Sequence, residues 1–308
     1  MGFIVKKIKN WIYYYSHKET KTSKGQDFQN KIFYVIGIDY ATEGLLAIVK
    51  NVLVHIEYAI EKGYVPVVDM ENFRSQFGSD KTNVWELFFE QPGGFKLQDI
   101  KKAHNIILSR NITSWRNHSI YVTLLDSIEK ERHMKMSGIY KKYIIPSTLL
   151  KNRINSAYDE IIGNKENVLG VLCRGTDYTQ RKPKNHPVQP TFEQIKLKVD
   201  EFVRKYSIKY IYLATEDVEY LNMFKLQYGS MVLYIDQQRF GKLNVDYICN
   251  LNIEHNDLVT LNIDYYTSLT ILSRCDYFIA GRTAGSLGVS LMTLGFKDKY
   301  YFNLGYYK

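Results

Sequence analysis

Two positions in the chain combine an arginine with small or acidic residues where an apolar run stops. The first is Arg174, which follows the apolar residues 168–173 and stands three residues before Asp177. A guanidinium offers paired N–H donors to a phosphate and keeps its charge at any working pH. Asp177 can orient this arginine or accept a hydrogen bond from a ligand hydroxyl. A purely structural ion pair between the two is the alternative interpretation.

The second position is the segment Gly-Arg-Thr-Ala-Gly-Ser at residues 281–286, between an apolar run and a helical pattern. Small residues allow a ligand to approach closely, and the first turn of a helix offers N–H groups that suit an anion. The candidate donors are Arg282, Thr283, Ala284, Gly285 and Ser286. The segment matches neither the dinucleotide fingerprint nor a P-loop. A tight strand–helix turn with Thr283 as the N-cap explains it equally well.

Polar residues also follow two further apolar runs. Thr215, Glu216 and Asp217 come directly after residues 209–214, and Asp236 and Arg239 come after residues 231–235. At neighbouring strand ends, these side chains can accept hydrogen bonds from a sugar or a base. Helix N-caps account for many acids at such positions, so this alternative stays open.

The apolar runs themselves predict the elements that position these residues. Residues 168–173 are apolar without a break, which is typical of a parallel strand covered on both faces. Ligands of open α/β sheets lie outside the carboxyl ends of such strands. The pattern predicts strands at 31–36, 64–69, 168–173, 209–214, 231–235 and 276–280, and helices at 45–62, 147–162, 192–206 and 262–274. This alternation predicts an α/β protein with parallel sheets.

The remaining segments carry weaker signals. Residues 19–30 are polar and predict a linker, residues 83–95 a short aromatic helix, and residues 105–108 and 119–125 further strands. Residues 126–145 are charged and mixed, and no element is assigned to them. We expect a basic N-terminal helix and linker at 1–30, one Rossmann-like domain at 31–155 and a second at 156–308.

Charge and cysteine content limit the possible settings. The net charge is +9, and six lysines fall within the first 24 residues. Aromatic and apolar residues recur there at helical spacing, which suits an anionic membrane surface or, alternatively, packing on the protein's own domain. Elsewhere the basic residues are dispersed, which argues against nucleic acid. Three distant cysteines, no secretory signal and no apolar span predict a cytoplasmic protein, with peripheral membrane contact through residues 1–24.

Several motifs resemble those of a known superfamily. The segment Val-Leu-Cys-Arg-Gly-Thr-Asp-Tyr at 171–178 is similar to the H-x-R-x-x-D strand motif of fucosyltransferases with the GT-B fold. Similar companions stand at 211–217, 228–236 and 272–279, and residues 44–45, 63–69 and 83–92 resemble bacterial polysaccharide-cluster members. The resemblance covers about residues 31–300. It implies two facing Rossmann-like domains, an acceptor domain and then a nucleotide-sugar domain.

The resemblance also implies a reaction. Members transfer a sugar from a nucleotide sugar, usually GDP-fucose, with inversion of the anomeric carbon and without a metal. In agreement, the sequence has no D-x-D motif and no pair of histidines at the spacing of metal ligands. Arg174 matches the arginine that binds the leaving diphosphate, and residues 283–286 match the turn on the same phosphates. Glu43, before Gly44, resembles the general base of some members, and Asp39 is the second candidate for that role. Alternatively, Glu43 is simply an acid that the positive end of the helix dipole favours. The implied setting is bacterial surface-polysaccharide synthesis on a glycan acceptor, oligosaccharide or lipid-linked.

Three departures from the motif affect the expected donor. Leu172 stands where members have a histidine, and Gly175 where a second arginine often follows. The acid that helps to read guanine falls near Ser268, so Asp264 or Asp246 would have to replace it. The alternatives are therefore a glycosyltransferase for another nucleotide sugar, or a nucleotide-sugar-binding protein that has lost catalysis. A phosphate-handling kinase or epimerase ranks last, because the chain lacks their fingerprints.

Overall fold

The computed structural model describes residues 19–37, 44–73, 77, 82–109, 130–175, 179, 181–241 and 253–308. The chain divides into two units, and the division falls between Ser147 and Thr148. The expected boundary between residues 155 and 156 would instead fall inside a helix, Thr148–Ile161. That helix belongs to the second unit. The predicted N-terminal helix and the predicted strand at 119–125 lie outside the described residues.

The first unit is built on a four-stranded sheet. Its described elements are, in order, β1 (Thr20–Thr22), β2 (Phe33–Ile36), α1 (Leu45–Glu61), β3 (Val65–Val68), α2 (Trp85–Phe88), β4 (Ile106–Leu108) and α3 (Lys130–Tyr143). The sheet order is β1-β4-β2-β3, with β2 parallel to both β3 and β4. Strand β1 runs antiparallel to β4, so the sheet is mixed rather than wholly parallel.

Helix α1 contributes nine buried apolar residues to the core of the first unit. Its apolar residues recur at helical spacing, and a wide face of the helix is buried. The chain leaves the helix through Gly63, whose φ of +69° is left-handed, which glycine adopts without steric cost. Strand β3 then pairs with β2 from Val65 onward. Strand, helix and parallel strand form the βαβ unit that the sequence predicts.

The first unit differs from the expectations in three places. Residues 19–30 are not a simple linker, because β1 pairs with β4 through Thr20 and Thr22. The aromatic helix predicted at 83–95 is only the single turn of α2. Residues 126–145 contain α3, a charged helix held by ion pairs: Glu57 of α1 binds Arg132 and Lys135. These ion pairs hold the pKa of Glu57 below its usual value against the opposing effect of burial, which is the larger single influence.

The second unit is a five-stranded parallel sheet. Its described elements are, in order, α4 (Thr148–Ile161), β5 (Val168–Cys173), α5 (Phe192–Tyr206), β6 (Tyr210–Thr215), α6 (Val218–Tyr228), β7 (Val232–Leu233), α7 (His255–Leu272), β8 (Tyr277–Gly281), α8 (Ala284–Met292) and β9 (Asp298–Phe302). The order β7-β6-β5-β8-β9 is that of a doubly wound Rossmann sheet. Strand β5 lies at its centre, as its unbroken apolar run predicts.

Helices cover both faces of this sheet. Alternate residues of β5, including Val171 and Cys173, pack with apolar residues of α5 and α6. On the other face, any side chain at Gly170 would collide with Leu272 and Cys275 at the end of α7. Among the described helices, none is long and apolar enough to cross a bilayer.

One buried hydrogen bond joins α7 to the sheet. The hydroxyl groups of Tyr212 in β6 and Ser268 in α7 lie 3.0 Å apart, and both residues are buried. Burial raises the pKa of Tyr212 well above its usual value, so the hydroxyl stays protonated. A buried hydroxyl without a hydrogen-bond partner would destabilise the fold by the full free energy of its desolvation.

Ser268→Ala is therefore expected to lower the free energy of unfolding by about 1–3 kcal/mol, because it leaves the buried Tyr212 hydroxyl without its hydrogen-bond partner. Urea denaturation followed by circular dichroism measures the change. The double variant Tyr212→Phe/Ser268→Ala removes both polar groups and should recover part of the loss. Equal stability of Ser268→Ala and the unaltered protein would contradict this role for the bond.

Candidate functional site

The carboxyl ends of four parallel strands place four polar residues in one row. The strand registers pair Cys173 with Thr215, Leu172 with Ala280 and Gly281 with Phe302. Extended by one or two residues, these registers give a row that we call the strand-end row: Glu216, Arg174, Arg282 and Asn303. Neighbouring strands in a sheet lie about 4.8 Å apart, so the members of the row are close to one another.

Contacts within the row support this arrangement. Glu216 Oε1 accepts a hydrogen bond from the N–H of Gly175 at 3.1 Å and lies 3.9 Å from Arg174 Nε. At the other end, Arg282 Nη1 donates to Asn303 Oδ1 at 2.9 Å. The two arginine residues therefore stand at the centre of the row, with Glu216 on one side and Asn303 on the other.

The central position is also where the order of strand addition reverses, which is the topological switch point of the sheet. From β5 the chain moves outward to β6 and β7, and then returns across β5 to form β8 and β9. Open α/β sheets bind ligands in the crevice at such a switch point. The Arg282 residue is only 5% exposed, whereas the Arg174 side chain is 26% exposed. A ligand would therefore reach Arg174 more readily than Arg282.

A helix N-terminus adjoins the row. Thr283 caps α8 in a reciprocal capping box: its Oγ1 accepts from the N–H of Ser286, and its own N–H donates to Ser286 Oγ. The alternative that Thr283 is an N-cap is thus confirmed. The two hydroxyls position the helix, and the first-turn N–H groups of Ala284 and Gly285 lie outside this capping box. The N-terminal end of a helix carries a partial positive charge that favours an anion.

A tyrosine and a leucine lie against the first turn of α8. A Cβ atom at Gly285 would lie 2.8 Å from the Tyr265 hydroxyl and 3.4 Å from Leu172 Cδ2. Leu172, which stands in place of the motif histidine, is buried. Glycine at position 285 therefore lets the α8 backbone approach both side chains.

The acids after β6 have structural partners. Asp217 is the N-cap of α6, and its Oδ1 accepts from the N–H groups of Glu219 and Tyr220. Thr215 Oγ1 in turn accepts from the N–H of Asp217 at 3.1 Å. Of the three residues, Glu216 alone has a carboxylate in the strand-end row. The N-cap alternative thus holds for Asp217.

The Asp217 side chain also explains Gly175. A Cβ atom at residue 175 would lie 2.7 Å from both Cβ and Cγ of Asp217, too close for any side chain. The second arginine of the motif has no room here. In the extended register of β5 and β8, Arg282 on the neighbouring strand stands beside Arg174.

Asp236, Arg239 and Asp264 form a separate group beside the ends of β6 and β7. Asp264 binds Arg153 of α4, with 2.9 Å between Arg153 Nε and Asp264 Oδ1. Burial raises the pKa of Asp264, and the Arg153 guanidinium opposes that rise. Arg153 Nη2 also approaches the carbonyl oxygen of Asp236, whose side chain is exposed. The partner of Asp264 is thus an arginine from a distant helix.

Arg239 is held by its own loop. Its Nη1 donates to the carbonyl of Gln237 at 3.1 Å and its Nη2 to that of Ile235 at 2.8 Å. Burial lowers its pKa from the usual value, and its guanidinium lies over the ring of Tyr234. These contacts fix the loop that follows β7.

Cys173, directly before Arg174, does not act as a nucleophile. The residue is buried, and burial raises the pKa of its thiol well above the usual value. The carboxylates of Glu216 and Asp217 raise it further. The thiol therefore stays protonated near neutral pH, which makes it a poor nucleophile.

Four candidate residues lie outside the described residues: Asp39, Glu43, Asp177 and Asp246. Gly44, the described neighbour of Glu43, is the N-cap of α1 and makes no side-chain capping bond. Its carbonyl accepts from the N–H groups of Ala47 and Ile48.

Residues 83–92, which carried part of the resemblance, fasten the end of β3. Gln91 exchanges two hydrogen bonds with the backbone of Val68, at 2.8 and 2.9 Å. Asn83 donates to the same carbonyl and accepts from the N–H of Met70. Both side chains thus replace backbone pairing where β3 ends.

Four residues near the candidate site were not predicted from the sequence: Arg153, Gln189, Tyr265 and Asn303. Asn303 directly follows β9, which ends at Phe302. The other three have no local signal, because their partners are distant in the sequence: Arg153, for example, binds Asp264 111 residues away.

No protein-family model and no curated protein matches the sequence. Solved structures do match. The crystal structure of NodZ α-1,6-fucosyltransferase soaked with GDP-fucose has a TM-score of 0.55 at 13% identity, over 85% of this chain and 93% of that one. POFUT1 in complex with GDP has a TM-score of 0.52 at 12% identity, over 88% and 98%. NodZ from Bradyrhizobium, at 13% identity, has a TM-score of 0.51.

These similarities establish the fold. The chain has the mixed α/β architecture of GT-B fucosyltransferases, as the motif resemblance implied. The second unit supplies the Rossmann sheet with the strand-end row, and the first supplies a smaller mixed sheet.

The contact between residue 175 and Asp217 leads to a testable prediction. Gly175→Ala is expected to lower the free energy of unfolding by about 1–3 kcal/mol, because the new methyl group overpacks against a fixed capping side chain. Thermal or urea unfolding measures the loss. Gly138→Ala in α3 is the matched control, since nothing lies within 4 Å of a Cβ atom there. A neutral Gly175→Ala would contradict the close approach of Asp217.

Proposed function

We propose that the protein is a glycosyltransferase that takes its sugar from a nucleotide sugar, with GDP-fucose as the expected donor. The observation that carries this proposal is the pair of arginines, Arg174 and Arg282, side by side at the switch point and next to the N-terminus of α8. Two guanidiniums and a helix N-terminus together suit a diphosphate. GDP-fucose and GDP are the ligands named for NodZ and POFUT1, which share the fold.

The chemistry explains why these groups are needed. As the acceptor oxygen attacks the anomeric carbon, the bond from that carbon to the phosphate oxygen breaks, and its electron pair stays on the diphosphate. Fixed positive charge stabilises the growing negative charge, and it needs no reorganisation at that moment. Arg174 is the more accessible of the two guanidiniums, and Glu216 holds the backbone beside it through the N–H of Gly175. Arg282 is fixed by Asn303.

Inversion also needs a base for the proton of the acceptor hydroxyl. Glu43 is our first candidate and Asp39 the second, and the first unit would bind the acceptor. A carboxylate in this role must reach the hydroxyl in the complex with both substrates. The acceptor class we propose is a glycan of bacterial surface polysaccharide, made on the cytoplasmic side of the membrane.

The role of Arg174 can be tested by binding and by turnover. Arg174→Ala should abolish GDP binding in calorimetry and transfer from GDP-fucose, because the diphosphate loses its accessible guanidinium. Its circular dichroism spectrum and melting temperature should stay near those of the unaltered protein. Arg204→Ala, which removes an exposed arginine from α5, should bind GDP normally. GDP binding and full turnover retained by Arg174→Ala would falsify the assignment.

A second outcome of the same experiment separates the alternatives. Selective binding of GDP without transfer from any nucleotide sugar would favour a protein that binds the donor but has lost catalysis. Leu172 in place of the motif histidine is the observation behind that possibility. Selective binding of UDP would instead point to another donor.

The N-terminal segment gives a prediction about the membrane. If the basic, aromatic residues near the N-terminus bind anionic lipid, deleting residues 1–18 should release the protein from phosphatidylglycerol vesicles in a sedimentation assay. The deletion stops at residue 18 because β1 begins at Thr20 and pairs with β4. Neutral phosphatidylcholine vesicles are the control. Unchanged sedimentation of the truncated protein would remove the membrane proposal.

A further inference from the structure

A basic loop lies against the C-terminal segment of the chain. We define the basic loop as residues 181–186 and the C-terminal strap as residues 303–308. The N–H of Asn185 donates to the carbonyl of Tyr307, and the N–H of Tyr307 donates to the carbonyl of His186, both at 2.9 Å. Val188 and Gly305 add a third backbone bond, also at 2.9 Å. The strap therefore holds the C-terminal end of the loop, at Asn185 and His186.

Two non-glycine residues of the loop have left-handed backbone conformations. The φ angles are +48° at Lys182 and +63° at Asn185. Such conformations cost free energy for residues with a side chain, and they persist where the surrounding structure imposes them. Here the hydrogen bonds to the strap impose the conformation of Asn185. The C-terminal end of the loop is thus preorganised.

The loop and the strap are both tied to Arg282 of the strand-end row. The buried Gln189, three residues after the loop, donates from Nε2 to the carbonyls of Arg282 and Pro187, both at 3.1 Å. Asn303, the first residue of the strap, accepts from Arg282 Nη1. Tyr306 of the strap lies 5.6 Å from the Arg282 guanidinium, ring centroid to Cζ. The basic loop is therefore held at the edge of the proposed donor site.

The charged side chains of the basic loop and the C-terminal strap are all positive. The loop and the strap together contain Arg181, Lys182, Lys184 and Lys308, and no aspartate or glutamate. Lys182 and Lys184 are exposed, and neither has a carboxylate partner within the described parts of the chain. The lysines of α5 differ, because Lys196 and Lys198 each pair with an acid of their own helix. Exposed like charges fixed at the edge of a site favour an anionic ligand.

We propose that the basic loop is the subsite for a negatively charged group, a carboxylate or a phosphate, on the glycan acceptor. This inference rests on the proposed function and adds the class of acceptor to it. The donor diphosphate is assigned to the strand-end row, where arginines offer fixed, paired donors. Lysines are mobile point charges that can follow an acidic polymer without demanding one geometry. The loop therefore selects acidic acceptors over neutral ones.

The test compares two double variants of the full chain. Lys182→Ala/Lys184→Ala removes two of the three exposed cations of the loop, and Lys151→Ala/Lys209→Ala removes two exposed lysines of the second unit that lie outside the loop. Calorimetry measures the binding of GDP, of a hyaluronan hexasaccharide carrying carboxylates, and of neutral maltohexaose. Each hexasaccharide is titrated with and without saturating GDP, at low and at high salt.

We expect the unaltered protein to bind the hyaluronan hexasaccharide and not maltohexaose, and to bind it less tightly in high salt. The loop variant should lose about fivefold in hyaluronan affinity, the effect of two exposed charge pairs, while its GDP affinity stays unchanged. The control variant should keep both affinities.

Three results would overturn the inference: no hyaluronan binding, an equal loss in the control variant, or a loss of GDP affinity in the loop variant. The last would assign the loop to the donor diphosphate. Failure of the proposed function is a separate result, because it would appear as an absence of GDP binding in the unaltered protein itself.

Discussion

The adjacency of Arg174 and Arg282 is the constraint around which the second unit is arranged. Two like charges at neighbouring strand ends repel each other, and the repulsion is stronger where water is excluded. Glu216 and Asn303, one on each side, reduce this cost without separating the pair. Glu216 contacts Arg174 and Asn303 contacts Arg282, whereas a ligand with several negative oxygens could bridge the two arginines. An anion shared by both arginines would offset the repulsion, which is why we assign the diphosphate here.

Small residues make this arrangement possible. Gly175 leaves room for the capping side chain of Asp217, and Gly281 leaves room for Gln189 and Pro190. Gly285 does the same for the Tyr265 hydroxyl. At all three positions, at or just beyond a strand end or in the first turn of α8, a glycine lets a side chain from another segment pack against the backbone. The arginines are therefore held by close packing as well as by hydrogen bonds.

Much of the second unit could be predicted from the sequence because its signals are local. The apolar run of β5 and the capping residue Thr283 each depend on neighbours in the chain, and the structure has the capping box of Thr283. Strand β1 and helix α3 were missed for the opposite reason. The polar residues of β1 form a strand through pairing with β4, and the charged α3 is held to α1 by ion pairs with Glu57. Partners that distant leave no periodic pattern in the sequence.

The same distinction separates the candidate site residues. Arg174 and Arg282 were predicted because the end of an apolar run marks a strand end in the sequence. The ion pair of Asp264 with Arg153 depends instead on the packing of α4 against α7. This distinction also changes the meaning of the departures from the motif. Gly175 looks like a lost arginine in the sequence, but in the fold it is the residue that Asp217 requires. A second guanidinium is not missing, since the register of β5 and β8 brings Arg282 beside Arg174. Positive charge at a site like this one is therefore better counted across neighbouring strands than along one motif.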